Sequence, residues 1–394
     1  MNILSPYLRN LLSSEFNSLE FWDEISNIGT PLVEKTEEGK KLLTFLYRER
    51  TPIENVVVVL GPAGLDFCRN KMTKIDGTDI WYRTYILNDD FKFQYLLSPN
   101  DPLTYPIDLL PDYQRWAERE ANFIIDPLNK YPFPISNPMV STVSSTKNVS
   151  DYESELSYGK VEEFTIRSEN MNNERLLRIY TPLDINDRES VSLFVMLDGE
   201  LHPELVPVIH IVDQLIGSNL IRPIMVALVG NSSEREKEMG CNELFSRFLA
   251  KELPSFIKQR KNIEIGNDNC ICGFSIAGVC ALFTSTHHHR VYRKNIFASA
   301  ALYWSPQGYN EPEFLISLIS EVEKKDIQIY FEVGKMEDHA EYQRYAGGTS
   351  NLLSNRHLRH VLKAKGYDFQ YFEFNGGHDF INWSDTVKRG LIHF

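Results

Sequence analysis

Apolar residues run through this chain in two rhythms. Up to about residue 125, the segments LLTFLYRE, NVVVVLG, DIWYRTYIL and FKFQYLL concentrate β-branched and aromatic side chains, and turn signals such as IDGTD separate them. No helical pattern of comparable strength follows the opening segment, which predicts an all-β sandwich with a short helical arm over 1–125. From 126 to 160 the text becomes DPLNKYPFPISNPMVSTVSSTKNVSDYESE, dense in Pro, Ser and Asn, as expected of a linker or extended crossover. Beyond it, LLRIYTP, SLFVMLDG and IRPIMVALVG precede the helix-like ELFSRFLAKELPSFIKQ, and NCICGFS, NIFASAALYW, IQIYFEVG and FQYFEFNGG continue the series. Runs such as LFVML and IMVAL lack period-two alternation, which suits strands covered by helices on both faces. Residues 161–394 therefore predict an α/β domain with a mostly parallel sheet.

Composition narrows the function classes. The 394 residues carry 54 acidic and 41 basic side chains, a net charge of −13, which disfavours a nucleic-acid partner that needs a long-range positive field. No window approaches the roughly 18 consecutive apolar residues of a membrane helix, and the first residues lack the pattern of a signal peptide. Five cysteines, Cys68, Cys241, Cys270, Cys272 and Cys280, are an odd count without a CxxC spacing. They read as reduced thiols of a cytoplasmic protein.

Three strand-end segments carry candidate chemistry. NCICGFSIAGVCALF places a strand, a small residue, Ser275 and a helix-compatible run in the order of a nucleophile elbow, with Gly273 two residues before the serine. The second small position is Ala277, followed by Gly278, a departure from G-x-S-x-G. FNGGHDFINW ends a late strand in two glycines and His378, a candidate general base. Between them in sequence, IQIYFEVGKMEDHAE offers Glu337, with Asp338 as the alternative acid; Asp379 stands too near His378 in sequence to be preferred. The order Ser, acid, His is that of α/β-hydrolases. An oxyanion needs two backbone donors: Ile276 after the serine, and Gly199 or Glu200 in MLDGELH.

The chain resembles the enterochelin esterases. FWDEISNIGTPLVE, DGTDIWYRTYILN and DPLN in the first half carry the likeness, as do LDGE, SSEREKEMGCNELF, KELPSF, GFSIAG, YWSP and GGHD-x-x-x-W in the second. The resemblance implies a cytoplasmic serine esterase that opens the trilactone of catecholate siderophores, free or ferric, with Ser275 and His378 as its serine and histidine and Glu337 at its acidic position. It also nominates Arg235, Glu238 and Asn242 beside the substrate, and Tyr303 and Trp304 as an aromatic wall for catechol rings. No metal or organic cofactor is expected; iron enters only as part of the ferric siderophore. Two rivals are compatible with the same residues: an esterase for a feruloyl or acetyl carbohydrate ester, and a non-catalytic siderophore-binding protein. Oligomeric state is not legible.

Overall fold

The computed structural model describes residues 3–13, 16–64, 66–103, 119–133, 140–144, 158–185, 190–202, 205–309, 311–338 and 349–394. Much of the expected linker over 126–160 lies outside them, but its described part corrects that expectation: Pro132–Phe133 and Val140–Ser144 are paired strands of the first unit, because the backbone of Val140–Ser144 hydrogen-bonds along a neighbouring strand of that unit. The chain divides into two compact units, one of Met1–Ser150, Lys335–Tyr345 and Asn375–Asp379, the other of Asp151–Gly334, Ala346–Phe374 and Phe380–Phe394.

In the first unit, α1 (Pro6–Ser13) and α2 (Ser18–Ile28) precede two antiparallel sheets. One has the order β1 (Leu32–Lys35), β2 (Lys41–Arg48), β5 (Ile80–Leu87), β4 (Thr73–Lys74). The other runs β3 (Val56–Val59), β6 (Lys92–Pro99), β8 (Val140–Ser144), β7 (Pro132–Phe133). Side chains alternate across a strand, so Leu43 and Phe45 of β2 and Trp81 of β5 meet Val56, Val58, Phe93, Tyr95 and Leu97 of the second sheet in one buried cluster. The opposite faces of β2 and β5 supply Leu46, Ile80 and Tyr82, which pack with Leu8 of α1 and Phe21, Trp22 and Ile25 of α2. The amphipathic arm thus covers a face that would otherwise meet water, and each such large side chain fully buried stabilises by about 1.5–3 kcal/mol. Asn17 caps α2, its side chain accepting from Leu19 N at 3.0 Å.

The second unit is an eight-stranded sheet in the order β16 (Asp368–Phe374), β15 (Gln328–Gly334), β14 (Tyr292–Ala298), β13 (Asn269–Phe274), β11 (Leu193–Met196), β12 (Met225–Val229), β10 (Asn173–Pro182), β9 (Gly159–Ser168). From β16 to β12 neighbouring strands are parallel; β10 is antiparallel to both β12 and β9. In β11, Leu193 and Val195 enter one core cluster and Phe194 and Met196 the other, so both faces are buried and the strand reads as a continuous apolar run.

The helices of this unit include α3 (Val208–Gly217), α4 (Arg235–Met239), α5 (Glu243–Arg247), α6 (Leu253–Lys261), α7 (Ile276–His287), α8 (Phe314–Glu321), α9 (Asn351–Ala364) and α10 (Phe380–His393). The segment read as one helix, ELFSRFLAKELPSFIKQ, passes from α5 to α6 through a π turn at Phe248–Glu252. Pro254, at the start of α6, has no N–H to continue the helical ladder, and the wider turn absorbs the mismatch. Cys270, Cys272 and Cys280 are buried free thiols, and burial pushes Cys280 up to about 12; Cys241 is half-buried and Cys68 exposed.

Candidate active site

Ser275 occupies the single residue between β13 and α7, at φ 54° and ψ −126°. A positive φ is costly for any side chain bearing a Cβ, so the surroundings must enforce it. Ser275 N donates to Ala298 O at 3.2 Å, and its own carbonyl accepts from Gly278 N and Ala301 N, both at 3.0 Å. A Cβ on Gly273 would stand 2.2 Å from the Ala277 carbonyl oxygen, and one on Gly278 would stand 2.9 Å from the Ala300 Cβ. Crowding on the helix side therefore falls on Gly278, which is why Ala277, wholly buried, fits where the usual pattern has a second glycine. The serine is half-buried at the head of α7, whose first amide is that of Ile276.

The loop after β11 carries Asp198, left-handed at φ 54° and ψ 51°, and continues into a short 3-10 turn, Gly199–Leu201. Gly199 lies against the backbone of β12, where an added Cβ would come within 2.9 Å of the Leu228 carbonyl carbon. Asp198 is braced from two sides. Arg235 reaches its two carboxylate oxygens through Nε and Nη2, each at 2.7 Å, and Asn231 Nδ2 donates to Oδ1 at 2.8 Å. The Asp198 hydrogen bonds raise the guanidinium still further above its ordinary range. Glu200 accepts from the amide of Asn231. Strands β11 and β13 are neighbours, with Met196 in register with Cys272, so the Gly199 loop and the elbow leave adjacent strands at the same edge.

Glu337 and His378 meet at 2.8 Å between Oε2 and Nδ1; Glu337 is wholly buried, whereas the His378 side chain is 27% exposed. Their loops follow β15 and β16, which are parallel neighbours, and Met336 N donates to Gly376 O at 3.0 Å between them. The alternative acid Asp338 is exposed. Asp379, next to the histidine, is buried. With the imidazole proton on Nδ1 and donated to Glu337, Nε2 is left as the basic nitrogen.

The residues nominated for substrate contact separate under the structure. Glu238 requires correction: it is wholly buried, accepts from Arg175 at 2.9 and 3.0 Å and from Asn173 at 2.8 Å, and is a structural anion. Burial opposes its ionisation, but the Arg175 hydrogen bonds outweigh that and hold its carboxyl below the ordinary value. Arg175 itself lies over the rings of Phe245 and Phe248, at 4.8 and 4.9 Å from their centroids. Asn242 is the N-cap of α5, accepting from Leu244 N and Phe245 N at 2.9 and 3.1 Å. Arg235 is committed to Asp198. Tyr303 and Trp304 lie beyond the end of β14, half-buried, with the Trp304 indole against Gly240. Asp198 and Asn231, which fix the Gly199 loop, escaped the sequence reading. The Asp-Gly pair of MLDGELH signals a turn, but nothing in it names partners more than 30 residues away.

A family profile described as a putative esterase matches residues 168–394, and one described as "Enterochelin esterase, N-terminal" matches residues 42–150. The chain is 24% identical over 407 residues to the iron(III) salmochelin esterase of Escherichia coli O6:H1, spanning 98% of this chain and 96% of that one. It is 20% identical to the iron(III) enterobactin esterase of Dickeya dadantii, across 98% of this chain and 94% of the relative. Among solved structures, the ferric enterobactin esterase of Salmonella typhimurium aligns with a TM-score of 0.76 at 20% identity, over 95% of this chain and 98% of that one. The enterobactin esterase of Shigella flexneri in the presence of enterobactin aligns at 0.74 and 22% identity, over 96% and 98%. The structural likeness establishes the fold.

Proposed function

The chain belongs to the putative esterase family, and from that premise we propose that it hydrolyses the trilactone ester bonds of enterobactin-type catecholate siderophores and of their ferric complexes. The observation that carries the esterase half is the elbow: Ser275 held at φ 54° and ψ −126° between a strand and a helix N-terminus. The substrate half is supported by the match of residues 42–150 to the N-terminal region of enterochelin esterases and by relatives that act on such siderophores.

In this reading Ser275 Oγ attacks an ester carbonyl of the trilactone, and His378 Nε2 takes its proton. Glu337 holds Nδ1–H and stabilises the imidazolium that forms. The developing oxyanion lies between the amide of Ile276, favoured by the helix N-terminus, and an amide of the Gly199–Glu200 turn. His378 then protonates the departing serine hydroxyl and activates a water that releases the acyl group from Ser275. Side chains and backbone amides suffice for these steps, so the reading calls on no cofactor. Iron is cargo, released because cutting the scaffold destroys the preorganisation of the chelate.

Among the described residues no helix is long and apolar enough to cross a membrane. The buried free thiols Cys270, Cys272 and Cys280 support a reducing, cytoplasmic setting for the reaction. The test is chromatographic product analysis of the cyclic trilactone and its ferric form with wild type and Ser275→Ala. Linear catechoyl-serine products from wild type alone are expected. Equal consumption by both proteins would remove Ser275 as nucleophile, and no consumption by wild type would overturn the substrate.

A further inference from the structure

A multiply anionic substrate is poorly matched to a chain of net charge −13 unless a local basic site receives it. The first unit has such a site. A cleft of about 470 Å³ opens on it, with Lys40, Arg69, Lys335 and Asp338 as its charged groups and Ile86, Leu87 and Met336 as its apolar lining. Three cations thus face one carboxylate. Lys40 lies 3.5 Å from Glu38, but among the described residues neither Arg69 nor Lys335 has an ion-pair partner. Ile86 is 54% exposed, so part of the apolar lining is open to an incoming ring.

The position of the cleft is as informative as its charge. Lys335, Met336 and Asp338 flank Glu337 in the loop after β15, and Asn375, also in the lining, stands three residues before His378. The cleft is therefore built on the same two loops that carry the Glu337–His378 pair, loops tied to each other by the Met336–Gly376 hydrogen bond. Asp338, unused as the acid, belongs to its rim.

We propose that this cleft binds an anionic catechol arm of the substrate, its ring against Ile86, Leu87 and Met336 and its oxygens toward Arg69, Lys335 and Lys40. The inference rests on the siderophore reading above. A flat ring with adjacent anionic oxygens combines apolar contact with charge-assisted hydrogen bonding, and the guanidinium of Arg69 offers a planar fork of donors for the oxygen pair. An arm held here would be anchored beside the general base while another part of the molecule is cut.

The probe is 2,3-dihydroxybenzoyl-glycine, which contains no ester to hydrolyse, titrated calorimetrically into the full chain. Arg69→Glu and Lys335→Glu are each expected to raise its Kd at least tenfold and to raise KM for the trilactone by a larger factor than any fall in kcat. Lys258→Glu, a charge reversal on the exposed face of α6, is the control for net charge and should leave Kd within twofold of wild type. Wild-type binding should weaken as salt is raised. Unchanged Kd in both cleft variants, an equal loss in the control, or no binding of the probe by wild type would overturn the inference. Failure of wild type to hydrolyse the trilactone, with probe binding still sensitive to Arg69 and Lys335, would instead overturn the proposed substrate and leave the cleft standing as an aryl-anion site.

Discussion

The carboxylate of Glu337, wholly buried, lies 2.8 Å from Nδ1 of His378, while its sequence neighbour Asp338 is exposed on the rim of a cleft. Two adjacent acids thus have different surroundings. Glu337→Gln should keep the shape but lose the charge that orients the imidazole, lowering kcat/KM on the order of 10²- to 10⁴-fold. Asp338→Asn should cost at least thirtyfold less than that. Steady-state kinetics of both variants decide the matter; equal losses would mean that the acid is misassigned.

Arg235 is expected to act through Asp198 rather than on the substrate. Arg235→Ala frees the loop that bears Gly199, and a misplaced oxyanion donor should lower kcat on the order of ten- to a hundredfold. KM should change less than threefold. Arg235→Lys, which cannot grip both carboxylate oxygens in the same way, should recover only part of the rate. A rise in KM with kcat retained would return Arg235 to the role of substrate contact.

Glu238→Gln tests the corrected assignment from the side of stability. The substitution leaves the buried Arg175 guanidinium without its anion, which typically costs about 3–5 kcal/mol. Urea denaturation of wild type and variant should show that loss as a lower midpoint. A variant as stable as wild type would show that the pair contributes little to the fold.

Acid sensitivity should trace in part to His202, next to the Gly199 turn. Burial first, then the neighbouring His210 and Arg178, lower its pKa from 6.5 to about 4. Between those values the unfolded chain takes up a proton that the folded chain refuses, so stability falls as pH drops from 6.5 to 4 and no further below that. At 1.36 kcal/mol per pH unit the full effect is about 3 kcal/mol. Urea denaturation at pH 7 and pH 4.5 should show a smaller acid loss for His202→Gln than for wild type; identical slopes would exclude the histidine as a source.

Periodicity along the chain was enough to read the longer strands, but not β7 and β8, which are too short to show a period and lie in the segment that reads as a linker. In β11, β12 and β13 both faces are buried, so the apolar runs carry no polar alternation and announce a covered, mostly parallel sheet. The β-rich first half was legible for a related reason: its inner positions alternate between the sheet-to-sheet cluster around Phe45 and the helix-covered cluster around Leu46. Ser275 was legible because a strand-to-helix elbow demands small residues at set offsets from it. Which of those offsets is crowded was not legible: the close approach of Ala300 to Gly278 depends on how the segment after β14 passes the helix, and that tolerance for Ala277 exists only in three dimensions.

Charge was where local reading failed. SSEREKE looks like a solvated run with a candidate ligand contact in it, yet Arg235 turns to Asp198 and Glu238 to Arg175, partners 37 and 63 residues away. A side chain's identity states that it can pair, and periodicity states which face it lies on. The partner itself is set by which strands become neighbours. The covered sheet, the serine elbow and the order of the three strand-end residues were legible in the chain alone, because each follows from local sterics and the period of burial. That Glu337 meets His378, that Asp338 joins a basic cleft and that Glu238 is buried emerged with the fold, because long-range pairing follows strand order.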